Sequence, residues 1–119
     1  MNRLEIAATT QDGCRILEVS GDVDMSSTAR LEAAVDDSLG LGPGAPLILD
    51  LSGVAFLDSS GLRTLLTAHR QAAASGSRLL IVPSSSITRV FELAGITNRI
   101  FAVYEDRAQA LEAGATAAG

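Results

Sequence analysis

Lysine is absent from this chain. All nine basic side chains among its 119 residues are arginine, so every mechanism that needs a lysine ammonium is excluded. Without Gly-x-x-x-x-Gly-Lys there is no standard P-loop, and a phospho-acceptor receiver domain, which also relies on a lysine, is disfavoured. Cys14 is the single cysteine; it has no partner for an internal disulfide and no companions for a thiolate metal site. Its simplest role is that of a small buried hydrophobe in a reduced compartment. Positive charge is scarce, since nine arginines against 14 Asp and Glu leave a net charge of −5. No basic footprint for nucleic acid or an anionic membrane surface results. No apolar run approaches the roughly 20 residues needed to cross a bilayer, and Met1-Asn2-Arg3-Leu4-Glu5 lacks the apolar core of a signal peptide. A cytoplasmic protein with no membrane partner is expected.

With 47% hydrophobic residues, the chain can build a single core, and residues 1–113 are expected to form it, followed by a flexible tail over 114–119. Periodicity predicts the order β-β-α-β-α-β-α-β-α. Leu4 to Ala8 and Cys14 to Val19 flank the turn Gln11-Asp12-Gly13 as an antiparallel hairpin, closed by Gly21. Ser26, Ser27 or Thr28 can cap a helix that runs to Leu39, with Gly40 as a left-handed terminator. Leu47 to Leu51 is apolar enough for the central strand of a parallel sheet. A helix from Asp58 to Ser75 carries Leu62, Leu65, Leu66 and His69 on one stripe. Arg78 to Val82 is the next strand, stopped by Pro83. Ser84-Ser85-Ser86 caps a helix bearing Ile87, Val90, Phe91 and Leu93, which Gly95 ends. Ile100 to Tyr104 is the last strand, and Asp106 caps a helix to Ala113. Right-handed β-α-β crossovers stepping in one direction stack helices mainly on one face of the sheet. The fold class is α/β, a mixed and mainly parallel sheet that opens with an antiparallel hairpin.

The chemistry concentrates in two segments. In Phe56-Leu57-Asp58-Ser59-Ser60-Gly61-Leu62-Arg63, Asp58 is an N-cap and the two serines occupy the first turn of a helix. A hydroxyl there can be merely tolerated. It can equally be an exposed acceptor, because a phosphate at that place meets amide donors and a favourable dipole. The second segment, Ser20-Gly21-Asp22-Val23-Asp24-Met25, has the Asp-x-Asp spacing of a magnesium-dependent phosphatase. The missing lysine and the intervening Ser20-Gly21 weigh against that and favour turn and capping carboxylates. A serine hydrolase fails on distance. His69, the only histidine, sits on the same helix as Ser59 and Ser60, about 14 Å along the axis at 1.5 Å per residue, and no nucleophile-elbow glycine precedes the serines. No catalytic set, metal site or cofactor is expected.

Ser20-Gly21-Asp22-Val23-Asp24 before a helix, Val54-Ala55-Phe56-Leu57-Asp58-Ser59-Ser60-Gly61-Leu62 after an apolar strand, and the helix end Val90-Phe91-Glu92-Leu93-Ala94-Gly95-Ile96 together resemble the STAS domain of bacterial anti-sigma factor antagonists. The resemblance implies a STAS-like single domain and a non-enzymatic partner switch. The unphosphorylated antagonist binds an anti-sigma factor that is also a serine kinase. Phosphorylation then separates the two, and a serine phosphatase resets the cycle. It assigns the acceptor to Ser59, with Ser60 as second choice. Docking falls to Asp22, Val23, Asp24, Met25, Asp58, Ser59, Ser60, Gly61, Leu62 and Arg63, with Arg63 expected to meet an acidic partner group. A monomer or weak dimer is expected. STAS domains also serve as adaptors or scaffold modules, an alternative that keeps the fold and drops the covalent switch.

Overall fold

The computed structural model describes residues 2–42, 44–96 and 100–117. Five strands, β1 (Glu5–Gln11), β2 (Cys14–Val23), β3 (Leu47–Leu57), β4 (Leu79–Pro83) and β5 (Ala102–Val103), form one sheet in the order β1-β2-β3-β4-β5. β1 pairs antiparallel with β2, and every later pair is parallel. Helices α1 (Thr28–Leu39), α2 (Ser59–Ala74), α3 (Ser85–Ala94) and α4 (Arg107–Ala117) alternate with the strands. The expected α/β order and the opening hairpin are therefore present.

Alternation along the strands builds two cores. Leu17, Val19, Leu47, Leu49, Leu51, Leu79 and Ile81 face the buried stripes of α1, α2 and α3. The next residues in register, Cys14, Ile16, Ile48, Leu80 and Val82, point the other way and meet Ala110 and Leu111 of α4. Three helices thus share one face, as successive right-handed crossovers require, and α4 alone covers part of the other. A charged latch accompanies it. Glu18 and Asp50 are register partners on β2 and β3, and the Arg107 guanidinium bridges them, at 2.7 Å from Asp50 Oδ2.

Several boundaries differ from expectation. β2 does not stop at Gly21 but runs on to Val23 through two register shifts. Gly21 makes this possible, with φ of 95° and its Cα so close to the Arg3 carbonyl that a Cβ would overlap it. β3 likewise continues past Leu51, because Gly53 to Leu57 pair with the extended β2, so only Asp58 separates strand from helix. Gly40 is right-handed (φ −69°) rather than left-handed; Gly95 is left-handed at 72°. Leu93 faces solvent, since the core stripe of α3 is Ile87 and Phe91. α4 passes Ala113 to Ala117 and takes in part of the expected tail, because Gly114 seats closely against Cys14 and lets the helix lie down on the sheet. Residues 118–119 lie outside the described residues.

Candidate functional site

The end of the sheet where β2 and β3 run on carries both quoted segments. The Asp58 amide donates to the Val23 carbonyl at 3.2 Å, which fixes the start of α2 beside the loop after β2. Asp58 then caps α2, its Oδ1 accepting from the Gly61 amide at 2.9 Å and from the Ser60 hydroxyl at 2.5 Å. The Ser60 hydroxyl, followed by the Gly61 amide, holds the Asp58 carboxyl below the usual carboxylate range. Ser60 is part-buried and committed. Ser59 is exposed at the first position of α2.

The loop after β2 is tied down by its own polar groups. Asp24 Oδ1 accepts from the amide and the hydroxyl of Ser26 at 2.9 and 2.6 Å. Led by that hydroxyl, these bonds also depress the Asp24 carboxyl, against a smaller opposing push from the charge of Asp58. Two ionised carboxylates thus sit within electrostatic reach of each other beside Ser59. Ser27 occupies the N-cap place of α1 but accepts no capping bond from the helix amides; its hydroxyl donates to the Asp22 carbonyl at 3.0 Å and accepts from the Asp24 amide at 3.0 Å. It pins the loop.

Not every expected docking residue reaches the surface. Val23 is 1% exposed, packed in the main core, and Gly61 is buried where a Cβ would meet Val23 and Leu57. Asp22 is 9% exposed, and its carboxylate accepts the Asn2 amide at 3.1 Å. Val23 and Gly61 shape the site from beneath, and Asp22 lines a surface groove beside it. Leu62 is half-buried against the core. Asp24, Met25, Asp58, Ser59, Ser60 and Arg63 remain on the surface. For magnesium chemistry the arrangement is poor, because Asp22 is spent on a backbone amide and Asp24 on its own loop. Among the described residues no group of three or more His, Cys, Asp or Glu is placed to hold a metal ion.

Phe56 is an addition. It is 50% exposed, and Met25 is 82% exposed, so the segments that carry Asp58 and Asp24 each present a large apolar group to solvent. Strand alternation from buried Leu57 carries the signal for Phe56, which an apolar residue inside an apolar run otherwise conceals. His69 is half-buried on α2 with its ring edge-on to Phe101 at 5.8 Å, remote from the serines, and Cys14 is fully buried. Among the described residues no helix is long and apolar enough to cross a membrane.

Residues 5–110 match the STAS domain family. The chain is 30% identical over 106 residues to the anti-sigma-F factor antagonist RsfB of Mycobacterium tuberculosis, covering 87% of this chain and 85% of that one. It superposes on the crystal structure of an anti-sigma factor antagonist from Mycobacterium paratuberculosis with a TM-score of 0.80, at 27% identity and 94% coverage of each. SpoIIAA, a Bacillus cell fate determinant, shares the fold in its unphosphorylated form (TM-score 0.70, 18% identity, covering 93% and 95%) and in its phosphorylated form (0.64, 19%, 93% and 98%). With the family matched over nearly its whole length and the same α/β fold, this chain belongs to the STAS domain family.

Proposed function

We propose that this protein is an anti-sigma factor antagonist, docking on an anti-sigma factor with serine kinase activity through the Asp24-Met25 loop, Phe56 and the start of α2, and leaving it once Ser59 is phosphorylated. The observation that carries this reading is the contrast between the two hydroxyls: Ser59 is exposed and unbonded to Asp58, whereas Ser60 donates to it. The kinase would transfer the γ-phosphoryl group of ATP to Ser59 Oγ, forming a P–O bond and releasing ADP and the hydroxyl proton. A phosphatase would reverse the modification with water. This chain supplies the acceptor, and the catalysis belongs to its partners.

Release follows from charge. A phosphoserine adds about −1.5 to −2 beside Asp58 and Asp24. In a docked interface where the effective dielectric falls toward 20, two unit charges 4 Å apart interact by about 4 kcal/mol. Because the same pair already interacts by about 1 kcal/mol in water, docking adds about 3 kcal/mol, roughly a hundredfold in Kd. Support also comes from the names of the relatives and from SpoIIAA, a protein of the same fold known both with and without its phosphoryl group.

The test is incubation with the cognate anti-sigma kinase and ATP, followed by peptide mass spectrometry. One phosphoryl group on the peptide containing Ser59 is expected. Acceptance elsewhere, or none, would leave the chain an unphosphorylated adaptor or scaffold module.

A further inference from the structure

The two edges of the sheet differ. β5 is two residues long, which blunts its edge. β1 is the opposite edge, seven residues long, and Glu5 to Gln11 carry none of the features that keep edges apart: no proline, no bulge against β2, and a single charge, at Glu5. The hairpin fixes which of its backbone groups are unused. Asp12 and Gly13, with φ of 52° and 78°, form a two-residue turn, so Gln11 and Cys14 exchange both bonds and the pattern alternates from there. Arg15, opposite Thr10, accordingly turns its amide away from β1, to the Pro46 carbonyl at 2.9 Å. Ile6, Ala8 and Thr10 therefore point their N–H and C=O groups outward, symmetrically about Ala8.

We propose that β1 pairs antiparallel with β1 of a second copy about a two-fold axis at Ala8, making one sheet continuous through both chains. Ala8 then faces Ala8, and Ile6 of each copy faces Thr10 of the other, so every outward donor meets an acceptor. Glu5 faces neutral Gln11 rather than another carboxylate. The helix beside the strand repeats this symmetry. Arg30 donates to the Leu4 carbonyl at 2.8 Å, and Arg15, next to the turn, donates to the Ser38 and Gly42 carbonyls at 2.6 and 2.9 Å. α1 thus runs alongside β1 from its Glu5 end to its Gln11 end. Arg30, Ala33 and Asp37 of α1 are exposed on one stripe, with Leu41 just past the helix, and these residues line a groove together with Ile6 and Ala8. Since α1 packs over β1 and β2, the two-fold sets the two α1 helices roughly 10 Å apart, a distance at which helices pack. Arg30 of each copy then meets Asp37 of the other across small Ala33, and Leu41 comes beside Ile6 of the other copy. Any extended strand can use the backbone groups, but the helix stripe matches its own image: each Arg30 finds an aspartate and each Asp37 an arginine. An edge of seven residues is about 24 Å long, and with one helix face beside it the contact stays below the roughly 1,200 Å² that stable complexes bury. The dimer is therefore weak and reversible.

The test is sedimentation equilibrium of the full chain from about 10 µM to about 1 mM, with hydrogen exchange followed at both ends of that range. A monomer–dimer equilibrium is expected, and the amides of Ile6, Ala8 and Thr10 should gain protection as concentration rises. Ala8→Pro removes an amide that the monomer does not use, so it should keep the melting temperature and weaken the dimer about tenfold. Asp37→Arg sets arginine against arginine across the two-fold, and Arg30→Asp sets aspartate against aspartate. Each variant alone should dimerise about tenfold more weakly, whereas an equimolar mixture of the two should recover the dimer, because every facing pair is again of opposite sign. A monomer throughout, protection gained elsewhere than on β1, or a mixture no tighter than its components overturns the proposal; the mixture decides even if Ala8→Pro fails to fold. No outcome bears on Ser59.

Discussion

Two adjacent hydroxyls at the start of α2 differ in one respect that matters: Asp58 holds Ser60 and leaves Ser59 free. Removing the holder should therefore affect stability and selectivity together. Asp58→Ala loses the cap accepted from Gly61 and should destabilise the fold by about 1 kcal/mol. It should also release the Ser60 hydroxyl, so that kinase treatment yields phosphopeptides modified at either serine; modification confined to Ser59 in this variant would show that Asp58 plays no part in the choice. Met25 and Phe56 are exposed apolar groups, and anchors of this kind carry a large share of interface energy. Truncating either to alanine should weaken partner binding about tenfold in calorimetry, with an unchanged melting temperature. At this scale the sequence reveals the cap at Asp58 and the exposure of Ser59, because both follow from local helix chemistry. It does not reveal that Val23 is buried or that Asp22 is taken by Asn2, since the first depends on how α2 seats on β2 at Gly61 and the second on how the chain start lies against β2.

Among the elements, the sites of disagreement are the strands. The order of all nine elements is readable from periodicity and turn residues, yet β3 looks complete at Leu51, because Ser52 and Gly53 are poor strand formers. Pairing with the extended β2 overrides that local preference, and the overrun brings Phe56 and Asp58 to the proposed docking end. Gly61 is the point where α2 rests on both strands. Gly61→Val should destabilise by about 1–3 kcal/mol, because its Cβ would fall 2.5 Å from Leu57 Cδ1 and 2.9 Å from Val23 Cγ1. On the other face, burial pushes the Asp50 carboxyl up, but Ser52 and Arg107 together outweigh it and hold it below the usual range. A depressed folded pKa gives stability that is complete above the unfolded value of about 3.9 and is lost as pH falls through the folded one. In Arg107→Ala the buried carboxylate loses its cation, so the variant should be about 2 kcal/mol less stable at pH 7. The gap should shrink toward pH 3, measured by urea denaturation; a gap independent of pH would mean that Arg107 acts through packing alone.

For the whole molecule, the proposed docking surface lies at one end of the sheet, while α1, α2 and α3 occupy one face and α4 latches part of the other. That end carries two ionised carboxylates in a chain of net charge −5, so the proposed release by one more anion would be an electrostatic event and should respond to salt. The Debye length falls from about 10 Å at 0.1 M to about 3 Å at 1 M. The binding difference between the unmodified chain and Ser59→Asp should therefore narrow as ionic strength rises, whereas a steric block would ignore it. The central claim is tested most directly by calorimetric titration of the cognate anti-sigma factor with the chain carrying phosphoserine at position 59, beside the unmodified chain. At least a thirtyfold loss of affinity with an unchanged melting temperature is predicted; equal affinity of the two forms would contradict the account.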